Sequence, residues 1–104
     1  MLDRADLPAK LLGETKTYTF DFTSALAVGE TISTKTVTAT VYSGTDASPS
    51  SVVSGSATSS GAVVSQLITG GTLGVLCELL CTITTSASQT LQQVGFLAII
   101  PDEI

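Results

Sequence analysis

Thr15-Lys16-Thr17-Tyr18-Thr19-Phe20-Asp21-Phe22-Thr23 is the stretch that decides the fold class. Tyr18, Phe20 and Phe22 alternate with Thr17, Thr19 and Asp21. Side chains on a strand point to opposite faces with a period of two, so one face is aromatic and the other polar. That is the pattern of an antiparallel strand with one side on a core and one side in water. Three of the five aromatic residues of the chain sit on this one face.

The rest of the chain reads the same way. With 17 Thr and 13 Ser it is rich in a β-branched strand former and in a turn former. After the first 14 residues good helix formers are scarce. Thr31 to Tyr42 is a long strand with Val37, Ala39 and Val41 on its inner side. Ser43-Gly44-Thr45-Asp46 is a turn. Residues 47–61 look like a Ser/Gly linker around a short strand at Ser51–Ser54. Ala62–Ile68, Val75–Thr85 and Thr90–Ile100 are further strands, separated by Gly70-Gly71 and by Ser86-Ala87-Ser88. Short strands between regular turn signals predict an all-β fold. Their number and spacing suit an immunoglobulin-like antiparallel β-sandwich of about seven strands. The immunoglobulin disulfide and core Trp are missing, so this expectation rests on strand count. Residues 1–14 lack alternation and read as an N-terminal arm, extended or with one short helical turn. Residues 15–104 read as a single sandwich domain.

Alternation also sorts the residues by role. Tyr18, Phe20, Phe22, Val37, Val41, Cys77, Cys81 and Phe96 are expected in the core. The other side of Val75–Thr85 carries Leu76 and Leu80, which makes it unusually apolar for a solvent face. Phe96-Leu97-Ala98-Ile99-Ile100 is apolar on both faces, so both should be covered. The candidate interface is therefore Leu76, Leu80, Leu97 and Ile99, joined by Leu2, Leu7, Leu11 and Leu12 of the arm. If the arm bridges subunits, deleting residues 1–14 should leave a folded monomer that cannot assemble.

Composition narrows the function. The chain has 104 residues, a formal net charge of −5, no His and only four basic residues. Without His there is no His-based triad, general base or metal ligand. Without a basic surface, a nucleic-acid partner is not expected. No cofactor, small-molecule substrate or membrane partner is indicated. The N-terminus has charges throughout and no apolar signal-peptide core, so synthesis and folding in a cytoplasm are expected. The nine carboxylates show close sequence pairs only at the termini, and Gly70-Gly71-Thr72-Leu73-Gly74 has no following Lys, so it is a turn and not a phosphate loop. The expected role is non-catalytic. Charged residues make up 12% of the chain and mean hydropathy is +0.47, a balance that suits a surface covered by partners. Cys77 and Cys81 are four apart. On a strand they share a face but lie about 13 Å apart, too far to bridge. They read as buried thiols.

Several segments, in order, resemble a known family. They are Tyr18-Thr19-Phe20-Asp21-Phe22, Leu26-Ala27-Val28-Gly29-Glu30-Thr31-Ile32, Ser43-Gly44-Thr45-Asp46, Gly70-Gly71-Thr72-Leu73-Gly74 and Cys81-Thr82-Ile83-Thr84-Thr85. The pattern is similar to small virion proteins of tailed bacteriophages described as fibre–tail adaptor proteins, which look like Ig-like domains. The resemblance spans about residues 7 to 100. Cys77 departs from it, standing where an aromatic is expected. The resemblance implies a virion structural protein in the tail or neck, linking the tail to receptor-binding fibres. It implies other virion proteins as partners (neck or tail ring, tail fibres) and a homo-oligomeric ring of head-to-tail contacts. Two alternatives stay open. One is a capsid decoration or cement protein on the head, separable by copy number. The other is a small carbohydrate-binding sandwich, for which Tyr42 is the one aromatic near a loop.

Overall fold

The computed structural model describes residues 4–6, 9–45 and 49–100, with backbone alone at 4–6 and 49–50. Its strands are β1 (Arg4–Asp6), β2 (Lys10–Leu11), β3 (Thr15–Asp21), β4 (Ile32–Ser43), β5 (Val53–Ser60), β6 (Val63–Thr69), β7 (Leu76–Thr85) and β8 (Thr90–Ile100). One 3-10 turn, Pro49–Val52, precedes β5. The fold is all-β, with two sheets in a sandwich. The larger sheet runs β1-β8-β7-β4, with β2 also on β8, and the smaller runs β3-β6-β5.

The aromatic strand takes its expected place. β3 pairs antiparallel with β6 from Thr15 opposite Thr69 to Asp21 opposite Val63. Tyr18, Phe20 and Phe22 are buried in one cluster with Val37, Ala39, Val64, Ile68, Cys77, Leu79, Cys81 and Ile83. Val41 is partly buried and packs against that cluster. On the open side of the sandwich, Gln93 on β8 donates its amide N–H to the Asp21 carbonyl at 2.6 Å, tying the two sheets together.

Three parts of the fold depart from expectation. First, β8 has the opposite phase. Leu97 and Ile99, expected at an interface, are 0% and 2% exposed and belong to the core cluster. Phe96, expected in the core, is buried, at 7% exposed, but stands outside the main cluster, on the opposite face against Tyr42, with ring centroids 4.6 Å apart. The residues Phe96–Ile100 are apolar on both sides, so alternation alone carries no phase there. Pairing supplies it: Cys77 lies opposite Leu97 and Leu79 opposite Gly95, which turns Leu97 inward and Phe96 outward.

Second, within residues 1–14 the described strands take the extended one of the two expected forms but are built into the sheet rather than free of it, and Pro8, the centre of the alternative helical turn, lies outside the described residues. Arg4–Asp6 and Lys10–Leu11 pair in parallel with β8, opposite Val94–Phe96 and Ile99–Ile100. The alternation missing from the sequence was no guide, because two- and three-residue strands are too short to show it. Lys10 is fully buried, and its ammonium donates to the Leu11 and Leu12 carbonyls at 2.8 and 3.2 Å. Leu12 packs against the core.

Third, the apparent linker is a full strand. β5 runs through Val53–Ser60 and pairs with β6, with a register shift between Ser54 and Thr58. A shift of this kind leaves backbone carbonyls without ladder partners. Buried Gln66 meets them. Its amide nitrogen reaches the Ser54, Leu67 and Gly55 carbonyls at 2.9, 3.0 and 3.3 Å. Ser and Gly composition describes a loop only when no neighbouring strand offers a ladder, and here β6 does. The turn before β7 is set by close packing. Gly71 has φ +105°, and a Cβ there would stand 2.9 Å from Ile99 Cδ1.

Candidate functional site

The described carboxylates are dispersed. Glu14 faces Lys16 at 3.9 Å. Asp21 accepts from the Thr23 backbone N–H at 2.8 Å and from its hydroxyl, and these bonds hold its carboxyl below the usual value. Glu30 accepts from the Ala27 N–H at 2.9 Å and from the Thr85 hydroxyl. Among the described residues, no three His, Cys, Asp or Glu side chains gather to hold a metal ion. A cleft of about 350 Å³ lies between the segment after β3 and the start of β8, lined by residues that include Phe22, Ser24, Leu91, Gln92 and Gln93. A smaller one of about 200 Å³ lies between β4 and β5 beside Lys35 and Gln66. No helix among the described residues is long and apolar enough to cross a membrane.

The Glu30 carboxyl is held below its ordinary value by the Ala27 N–H and then by the Thr85 hydroxyl. A carboxyl lowered on folding stabilises the protein above its unfolded pKa, and loses that contribution as pH falls through the lower folded value. Wild type is therefore expected to lose stability on acidification through the mildly acid range and below. Glu30→Gln should flatten that limb. Thermal melts at several pH values check this; parallel curves for the two proteins would contradict it.

Neither Cys77 nor Cys81 is in a disulfide, and both are fully buried. They share the inner face of β7, as the strand reading requires. Burial pushes the Cys81 thiol up to about 12, so it stays neutral and unreactive at ordinary pH. Iodoacetamide should leave both unmodified in the native protein and label both in denaturant. Rapid labelling of the native protein would contradict the burial.

The remaining feature is the outer face of the larger sheet. Along β7 the buried residues alternate with half-buried Leu76, Glu78, Leu80, Thr82 and Thr84. The register builds rows across three strands. Ser43, Leu76 and Ala98 lie side by side, as do Thr40, Glu78 and Phe96, and then Thr38, Leu80 and Val94. Tyr42 and Ile100 extend this end and are 55% and 36% exposed. The other end of the same face is polar, with Thr34, Thr36, Thr82, Thr84, Thr90 and Gln92. The result is an apolar half-face bordered by a threonine-rich margin, the pattern of an interface core and rim.

The structure brings Leu76 and Leu80 together on this face. Leu11 is half-buried and stands opposite Ile100. Leu12, Leu97 and Ile99 go to the core instead. Leu2 and Leu7 lie outside the described residues. Sequence reasoning missed Tyr42, Val94, Ala98 and Ile100. For Ala98 and Ile100 the signal was present in the doubly apolar end of β8, read one residue out of phase. Tyr42, the one candidate for stacking on a sugar, is engaged with Phe96.

Compared with protein families, residues 10–98 match the model described as podophage GP4 fiber-tail adaptor protein gp77. No curated protein matches the chain.

Proposed function

This chain belongs to the podophage GP4 fiber-tail adaptor family, and from that premise we propose that it links the phage tail to the receptor-binding fibres. It acts as a non-catalytic structural component of the virion, in several copies arranged as a ring at the tail or neck. The observation that carries the reading is the apolar half-face of the β4–β7–β8 sheet, combined with the family match. A protein whose work is binding other proteins needs such a face and needs no reactive centre. The dispersed carboxylates and the neutral, buried Cys81 thiol agree with that.

Imaging of intact particles labelled with gold-tagged antibody against this chain tests the proposal. Label confined to the tail or neck vertex is the expected result. Label spread over the head would replace the adaptor with a decoration protein. A mass-spectrometric inventory of the particles that lacks the chain would remove it from the virion.

A further inference from the structure

Glu78 sits where a carboxylate is least at home. It is half-buried in the middle of the apolar half-face, between Leu76 and Leu80 along its own strand and between Thr40 and Phe96 across the sheet. Among the described residues no cation or hydrogen-bond donor engages it. In the free protein water solvates it. A partner that covers this face removes the water, and the charge then needs a cation or strong donors opposite.

The chain itself is a poor source of that cation. Of its four bases, Lys10 is fully buried, and Lys16 stands beside Glu14 at 3.9 Å. Lys35 alternates with Val37 and Ala39 and therefore points to the inner side of β4, toward the small cleft. Arg4 stands opposite Val94, two strands from the β7 row, with Asp6 close by opposite Phe96. Two strand spacings are about 10 Å. A twofold contact between copies through this face would bring Glu78 toward Glu78, a repulsion.

Resting on the adaptor reading, we propose that the outer face of β4, β7 and β8 docks a different virion protein, one whose contact surface is apolar and carries an Arg or Lys opposite Glu78. Tyr42, Leu76, Leu80 and Val94 form the dry centre of the contact, and the threonines of β4 and β7 form its rim. Glu78 sets partner choice: it admits a basic partner and rejects a second copy.

The test uses phage particles assembled with this chain carrying a photo-crosslinker, Tyr42→p-benzoylphenylalanine, with Thr58→p-benzoylphenylalanine on exposed β5 as a second position. Illumination is followed by mass spectrometry of the joined peptides. From position 42 the expected product is a different virion protein, joined at an apolar segment that contains Arg or Lys. Glu78→Lys should keep the thermal stability of the wild type, because no bond within the chain is lost, yet reduce copies per particle by about tenfold or more. A crosslink from position 42 to a second copy overturns the proposal. So does the absence of any crosslink from position 42 in particles that contain the chain, or full incorporation of Glu78→Lys. If the wild-type chain is absent from particles, the adaptor reading itself fails, an outcome distinct from these.

Discussion

Phe20→Ala is expected to destabilise the protein by about 3–5 kcal/mol, the range for removing a buried aromatic ring. Phe20 is 3% exposed and stands opposite Val64 in the β3–β6 ladder, with Tyr18 and Phe22 on the same side. Those neighbours come from a rigid sheet and cannot close the space a missing ring leaves. Domains of this size are stable by only about 5–15 kcal/mol, so the variant should fall close to the edge of folding at ambient temperature. Urea denaturation reads the effect as a lower midpoint at unchanged slope. Thr19→Ala, on the exposed face of the same strand, should stay within about 0.5 kcal/mol of wild type. Equal midpoints for Phe20→Ala and Thr19→Ala would mean that the face of β3 had been assigned the wrong way round.

Deleting residues 1–14 is expected to have the second large effect, and not the one the sequence alone suggests. The described part of that segment is built into the sheet: Arg4–Asp6 and Lys10–Leu11 pair with β8, and Leu12 packs on the core. Removing it strips the ladder partners from Val94–Phe96 and Ile99–Ile100 and uncovers core surface. A loss of about 3 kcal/mol follows from the side chain and the lost backbone bonds together. The bared β8 edge is also apolar, and an unpaired apolar edge pairs with other chains. The truncated protein should therefore melt at lower temperature and self-associate with rising concentration, as sedimentation velocity would show. A stable monomer would instead mean that β1 and β2 add little and that the segment is free to act elsewhere.

Both expectations depend on strand phase, and the two regions differ in how well sequence reports it. In β3 one side is aromatic and the other is Thr and Asp, so burial has one solution. In β8 both sides are apolar from Phe96 onward. Either phase hides hydrophobic surface, and only the partner strand decides between them. Reading that stretch one residue out of phase moved Leu97 and Ile99 outward on paper and Phe96 inward, and so blurred the docking face. Leu76 and Leu80 escaped this error because β7 alternates cleanly between Cys77, Leu79, Cys81 and Ile83 on one side and Leu76, Glu78 and Leu80 on the other. Gln66 was invisible for another reason. A buried glutamine has meaning only beside the carbonyls it satisfies, and two of the three here, Ser54 and Gly55, lie at a register shift in β5 that no local pattern announces.

What the amino-acid sequence determined by itself is the class: all-β, a sandwich, an aromatic core strand and thiols turned inward. These follow from side-chain chemistry and a period of two, which are local properties. What only the tertiary structure decided is which surface is left over. The phase of β8, the strand pairing of the N-terminal segment and the isolation of Glu78 among apolar neighbours all arise from hydrogen-bond register between segments distant in the chain. Register is a property of pairs of strands, and one strand read alone does not contain it.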